Sequence, residues 1–426
     1  MIRRKIATFL AGAMLVTTVV VVDTPSLSGG SKAPSNGVTA TTIRVGIPYD
    51  DFSSVLKFGV TLDQGNFPDA YSALIAEMNA QGGINGRRIV PYLVPVSVLG
   101  TAPAATACTQ LTEDDKVLVA IFPDQPDCYR QEHGTPTING NFQSAQAPGG
   151  VPNFSVGPPP AVYDQIQLRV FDRHGAFEGK KLGLFAGGLT DQGELRVVQA
   201  TVRSLHVPVV QTAVQDAPVG DASSYDQQFS AIAQRFKEAG VSEVVAVGTG
   251  SYVWPKSLQA IQSSYNPPWV ATNEGVLEFA VLTARSISSR YLRNVLTSNS
   301  APPNELFWRA PAEQRCARVV HRAYPTDKIT PPTNPQIGSD ETFFAVEVAC
   351  INLGLFAVIA KAAGKNLTTS SFIQAGYRLR NAVIPGLLTP ISFGPKRSYV
   401  IQGVYQVTYD PKHNSLKYAT SSLTNN

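Results

Sequence analysis

Catalysis needs nucleophiles, bases or metal ligands at usable spacings, and this sequence offers few. Ser54-Val55-Leu56-Lys57 fits the SxxK pattern in which a Lys activates a Ser, but its companion motifs are missing. Gly175-Ala-Phe-Glu-Gly179-Lys180 has the outline of a phosphate-cradling loop. Three residues instead of four separate its glycines, however, and Lys181 stands where a metal-binding Ser or Thr is required. A GxSxG elbow is absent, the five His are scattered with no pair at helical spacing, and Glu113-Asp114-Asp115 reads as a solvated loop. The four cysteines, Cys108, Cys128, Cys316 and Cys350, include no CxxC. Cys316 and His321 are separated by four residues, but no second half-site follows. The chain is therefore expected to be no enzyme and to hold no metal or cofactor. An even cysteine count favours two disulfides; three pairings are possible, and the local ones, Cys108–Cys128 and Cys316–Cys350, are simplest.

Recognition chemistry is better represented. Polar and aromatic residues gather where strands give way to helices: Tyr49–Ser54 with Phe52, Phe122–Asp127 with Asp124 and Gln125, and Asn139-Gly140-Asn141-Phe142. The same holds at Gly187–Asp191 with Thr190, at Thr249–Trp254 with Ser251 and Tyr252, and at Asn273-Glu274. Aromatic rings cover apolar ligand faces, and helix N-termini can hold a carboxylate.

The elements that position these residues follow from periodicity. Ile43-Arg-Val-Gly-Ile47 alternates as a strand. Asn66 and Pro68 open a helix in which Tyr71, Leu74, Ile75 and Met78 share one face, and Gly82-Gly83 stops it. Strands over 88–94, 117–122 and 135–138 follow, with a helix around 104–111 and a helix start near Cys128. A second series repeats this order: strands over 181–185, 208–214, 243–247 and 269–272, with helices between them. Asp191 and Glu194 in that series have capping-box spacing. The sequence predicts a short strand over 294–298, helices over 311–323, 342–363 and 369–379, and strands over 399–402 and 404–409. Alternating strands and helices of this size imply parallel α/β sheets, and two series imply two open lobes with ligands bound beyond the strand carboxyl ends.

Composition narrows the class. Lys and Arg total 35 and Asp and Glu 31, a net charge of +4 that is too small for an electrostatic nucleic-acid binder. Arg3, Arg4, Lys5 and Lys32 against Asp23 leave +3 of it in the first 33 residues. That basic start and the apolar run Ile6–Val22 read as an export signal, either cleaved near residue 33 or 40 or retained as an N-terminal anchor. With no Cys near the run, a lipid-modified N-terminal Cys is not expected. Export agrees with disulfide use.

Ile43-Arg-Val-Gly-Ile47 followed by Ala76-Glu-Met-Asn-Ala-Gln-Gly-Gly-Ile-Asn-Gly-Arg-Arg-Ile89 resembles the opening of the branched-chain amino-acid (Leu/Ile/Val)-binding proteins, type I periplasmic solute-binding proteins of ABC importers. Lys116–Ile121, Gly134–Ile138, Glu274-Gly275, Leu367, Gly386 and Phe393-Gly394 match in order. The resemblance implies two Rossmann-like lobes joined by a three-strand hinge. Residues 41–158 and 300–385 would form lobe 1, residues 159–299 and 386–426 lobe 2, and residues 1–40 the signal and linker. Crossings would fall near 156–160, 297–302 and 384–388. It supports the Cys108–Cys128 pairing. It also implies a monomeric extracytoplasmic carrier with a small organic ligand, an amino acid, amide or related compound, and an ABC permease as partner. A sensing or surface-interaction module of the same fold is the alternative. Glu274 corresponds to the acidic group that meets a ligand ammonium, and Tyr252 beside Ser251 to the lobe-two aromatic. The family's first lobe-two aromatic is replaced in Leu189-Thr190-Asp191. Its lobe-one carboxylate contacts are replaced by Phe122–Asp127 and Asn139–Phe142, where only Gly140 and nearby amides keep the expected chemistry. Two acidic residues and a Phe there argue against a plain α-amino acid.

Overall fold

The computed structural model describes residues 37–53, 63–97, 102–123, 125–139, 150–188, 191–216, 222–248, 250, 254, 258, 265–272, 289–332, 342–394, 397–400, 403–413, 415–419 and 421–423. The apolar run read as an export signal lies outside them.

Strand β1 (Thr42–Asp51) buries Ile43, Val45 and Ile47 and pairs in parallel with β2 (Arg88–Ser97) along its whole length. Helix α1 (Phe67–Ala80) connects them. The Asn66 side chain accepts from the Asp69 N–H at its start, and Pro68 occupies its first turn, where a missing N–H costs nothing. Gly82 and Gly83, both at positive φ, end it. Strands β3 (Val119–Ile121), β4 (Thr137–Asn139) and β5 (Asn153–Ser155) complete an all-parallel sheet ordered β2-β1-β3-β4-β5. Helix α2 (Ala102–Thr109) runs into a π turn (Gln110–Asp114), and a second π turn (Cys128–Glu132) stands where a helix start was expected. Disulfide Cys108–Cys128 ties the two regions together.

The second sheet repeats the plan. Strands β6 (Leu182–Ala186), β7 (Val209–Val214), β8 (Glu243–Val247), β9 (Trp269–Ala271) and β10 (Val295–Asn299) are parallel and ordered β7-β6-β8-β9-β10. Relative to its own first strand this is the order of the first sheet. Two antiparallel strands, β11 (Tyr405–Asp410) and β12 (Ser415–Tyr418), extend it past β10. Helices α3 (Pro160–Arg173), α4 (Gln192–Ser204), α5 (Ala222–Glu238) and α6 (Ser289–Leu292) belong to this half of the chain. Helix α3, with β5 before it, was not expected from sequence: Asp164 and Gln167, buried on its inner face, interrupt the apolar period.

Helices α7 (Asn304–Arg309), α8 (Pro311–Ala323), α9 (Phe344–Ala362) and α10 (Thr369–Arg378) return to the first core. Among the described residues α9 alone is long and apolar enough to cross a bilayer, but it is buried as a core helix against α1, α8 and α10. Disulfide Cys316–Cys350 joins α8 to α9, so both pairs are the local ones. The capping box at α10 is Thr368 with Ser371. At α4 the expected box does not form: Asp191 makes no side-chain cap bond and accepts from the Gly187 N–H at 3.0 Å instead.

Three segments meet beside β5. Ser155 donates its N–H to the Ser398 carbonyl and accepts from the Val400 N–H, and the buried Tyr163 hydroxyl lies 2.8 Å from Ser298 Oγ.

Candidate functional site

Each sheet has its strand-order reversal beside its first strand, between β1 and β3 and between β6 and β8. Connections there leave in opposite directions, so a crevice opens beyond the carboxyl ends.

In the first sheet, β1 delivers Pro48, Tyr49 and Asp50 to this crevice, and the end of β3 delivers Phe122 and Pro123. Gln125, Val96, Ala104 and Tyr129 close a narrow space of about 10 Å³, enough for one water. Phe122 lies at φ 59°, a left-handed conformation rare for a bulky residue. Burial of its ring holds it there: Phe122 stacks on Phe67 with centroids 6.2 Å apart, and Phe67 meets Phe344 edge-on. Tyr49 and Asp50 also border a wider, polar hollow of about 460 Å³ at the start of α1. Asp51, Asp63, Asn66, Asp327 and Lys328 line it, so carboxylates dominate its wall. The Ser53 hydroxyl and N–H hold Asp51 below the ordinary carboxylate range. Burial, then the neighbouring Asp69, raises Asp327. Burial raises the Tyr49 phenol, with Asp51 adding to the effect.

In the second sheet the crevice is formed by Gly187 after β6 and Gly248 after β8. Gly248 sits at φ 53°, and a Cβ there would lie 2.8 Å from the Asp191 carboxyl and 3.0 Å from Glu194 Oε2. Two carboxyl groups thus converge on one backbone position. Burial, with Asp191 beside it, raises Glu194 to about 7. A Cβ at Gly250 would lie 2.6 Å from the Phe185 carbonyl oxygen, so this turn also needs glycine.

Of the residues singled out from sequence, Tyr49, Phe122 and Gln125 line one crevice. Phe52 follows in the turn after β1, half-buried, and Asn139 closes β4, buried. Asp191 stands buried in the second crevice. Asp124, Gly140, Asn141, Phe142, Thr190, Ser251, Tyr252 and Glu274 lie outside the described residues. Glu194 was missed as a site residue because its spacing from Asp191 reads as a cap. Asp327 was missed because it lies in a Pro-rich loop far along the chain.

No family model and no curated relative matches the chain. Solved structures do. A fatty acid ABC transporter substrate-binding protein from Thermomonospora curvata superposes with a TM-score of 0.63 at 17% identity, covering 92% of this chain and 95% of that one. A type 1 periplasmic binding protein from Bordetella pertussis Tohama I gives 0.62 at 16%, covering 89% and 100%. The branched-chain amino acid transporter substrate binding protein LivJ of Streptococcus pneumoniae, in complex with isoleucine, gives 0.60 at 16%, also covering 89% and 100%. With its twice-repeated sheet order and this agreement over nearly the whole described length, the chain has the fold of the type I periplasmic binding proteins, the fold of ABC-transporter substrate-binding proteins.

Proposed function

We propose that this protein is the extracytoplasmic solute-binding component of an ABC importer and holds a small organic ligand between its two lobes. The observation that carries the reading is the repeated strand order, which sets one crevice at the switch point of each sheet. The structural neighbours named for a fatty acid and for a branched-chain amino acid transporter support it. Binding is non-covalent, with an ABC permease as partner and no reaction on the ligand.

Lobe 1 comprises 41–158 and 300 to about 400, because Ile391, Phe393 and Val400 pack with the first core rather than the second as the expected boundary at 385 implied, and lobe 2 comprises 159–299 and the chain from about 403, where Val404 joins the second. Closure occurs by rotation about the three crossings, where the bonds of Ser155 with Ser398 and Val400 and of Tyr163 with Ser298 keep the segments in register. The ligand rests on Tyr49 and Phe122. Its positively charged or donor-rich end faces the Asp50 and Asp51 side of lobe 1 and the Asp191–Glu194 pair of lobe 2; the resemblance adds Ser251, Tyr252 and Glu274 as further ligand contacts. Among the described residues lining the first crevice and its hollow, Lys328 is the one cation that a free carboxylate could meet.

A thermal-shift screen of amino acids, amides, amines, aromatic acids and fatty acids tests this. Stabilisation that saturates with ligand, and that weakens in Phe122→Ala, is the expected result. Failure of every class to stabilise the protein would remove the basis for a carrier. Export with cleavage near residue 33 or 40, read by N-terminal sequencing, separates the soluble carrier from an anchored sensing module.

A further inference from the structure

The loop 382–391, which follows α10, covers a pair of carboxyls that ligand binding does not use. Glu313 of α8 is fully buried, and neither of its oxygens has a hydrogen-bond partner. Glu347 of α9, also buried, faces it. Gly386 closes over Glu313: a Cβ there would lie 2.2 Å from Glu313 Oε1 and 2.7 Å from Ile351 Cγ1 of α9. The loop also rests on Gly354 of α9, where a Cβ would come 3.0 Å from Pro385 Cδ. Parting the helices cannot relieve the pair. Glu313 stands three residues before Cys316 and Glu347 three before Cys350, so the Cys316–Cys350 disulfide clamps α8 to α9 one turn away. The loop is held differently. Ala382 and Ile391 exchange two backbone bonds of 2.8 and 2.9 Å, and the Leu387 N–H donates to the Ile384 carbonyl at 3.0 Å. These bonds lie within the loop, so they are kept when it moves as a unit.

We propose that the loop 382–391 is a pH-gated cover, closed while the Glu313–Glu347 pair holds a proton and lifted once both carboxyls are ionised. Two carboxylates that face each other away from water cannot both carry charge, so the closed pair keeps a proton. Burial, then the Glu347 charge, raises Glu313 well above its ordinary range, the direction this requires. As pH rises, ionisation needs water at the carboxyls, and the loop is the part of their cover that the disulfide leaves unclamped. The surroundings supply no compensating cation. The loop has no titratable side chain. Arg315, Arg318, His321 and Arg322 of α8 are exposed, as are Arg309 of α7 and Lys361 at the far end of α9, while Glu305 of α7 is half-buried. On α1, Asp69 is engaged with Asp327 and Glu77 with Gln81. Lifting the loop uncovers Ile384, a member of the first core, beside Val383 and Leu388, which are already exposed. The inference does not depend on the reading of the interlobe cleft.

The test is hydrogen exchange of the full, oxidised chain from pH 5 to pH 8, read by peptide mass, with each rate divided by the intrinsic rate at that pH. Protection of peptides spanning 382–391 should fall as pH rises. Release of one proton on opening limits the fall to about 10-fold per pH unit, and at least about 10-fold is expected over the whole range. Peptides of α8 and α9 should keep their protection, because local opening of the loop leaves the clamped helices closed. Glu313→Gln cannot ionise, so its loop should stay equally protected at every pH. Glu347→Gln removes the facing charge and should reduce the fall. Loop protection that is constant with pH in the wild type overturns the proposal, as does an equal fall in Glu313→Gln. An equal loss across the loop, α8 and α9 also overturns it, since the core would then open as a whole. Should Glu313→Gln fail to fold, Glu347→Gln decides: an unreduced fall there overturns the proposal, and a reduced one supports it.

Discussion

Glu194 is the residue whose chemistry most exceeds what its position in the sequence suggests. It stands three residues after Asp191, the spacing of a helix cap, and the expectation of a cap followed. Asp191 turns instead to the Gly187 N–H, which leaves Glu194 half-buried beside a second carboxyl at the mouth of β8. Its folded-state pKa near 7 stands above the ordinary 4.5. The stability linked to this group is therefore complete below about pH 4.5 and is lost as pH rises through 7. Discounted for its remaining exposure, the loss is on the order of 1–2 kcal/mol. Urea unfolding from pH 4.5 to pH 8 should show wild type falling relative to Glu194→Gln by that amount. Parallel curves would show that the carboxyl is not held in the protonated form. A ligand cation placed here would favour the ionised form, so tighter binding above pH 7 is the corresponding expectation for an amine ligand. Phe122 shows the opposite limit of sequence reading. Its type marked it as a candidate, but its left-handed backbone arises from packing on Phe67, which no local signal announces.

Between elements, two glycines show packing overriding propensity. Gly376 lies inside α10, where an Ala would ordinarily gain about 1 kcal/mol. A Cβ there would come within 2.2–2.6 Å of the Phe154 ring on β5. Gly376→Ala should therefore destabilise by roughly 1–3 kcal/mol, read as a lower urea midpoint. A raised midpoint would mean that this helix does not sit on β5 as described. Gly386, at φ 92°, lets the backbone approach the Glu313 carboxyl of α8, to which a Cβ would come as near as 2.2 Å. Glu313 is fully buried and neither of its oxygens has a hydrogen-bond partner. Burial, with Glu347 of α9 facing it, raises its pKa well above the ordinary value. This group too is stabilising below pH 4.5 and costly as pH rises. Glu313→Gln should exceed wild type in stability at pH 8 and lose that advantage near pH 4.5, as thermal melts at the two values would show. An advantage independent of pH would place the carboxyl in water. The helices themselves were legible: α1, α8, α9 and α10 stand within a few residues of their expected bounds, because α1, α8 and α10 have an apolar face, α9 is a long run that is apolar nearly all round, and Gly, Pro or Thr marks an end of each. Helix α3 was not, since Asp164 and Gln167 break its face. The π turns were hidden for a related reason, because residues five apart share no face of an α-helix.

For the whole molecule, repetition of the strand order carries the account. The repeated series was visible in sequence, because alternation of strand and helix leaves period changes at each junction, but the order of the strands across each sheet was not. Of the second sheet's two antiparallel edge strands, β11 was visible as the expected strand over 404–409, whereas β12 was not, and Tyr399, at the start of the other expected strand, makes only an isolated parallel bridge with Ser155. The shape of the ligand was not, because recognition depends on which rim residues meet across two lobes far apart in sequence. The account requires those lobes to close on a small molecule. Small-angle X-ray scattering of the protein alone and saturated with a ligand chosen by thermal shift addresses this directly. The radius of gyration should fall, saturating at the same ligand concentration as the stabilisation; an unchanged scattering curve at saturation would contradict closure of the cleft.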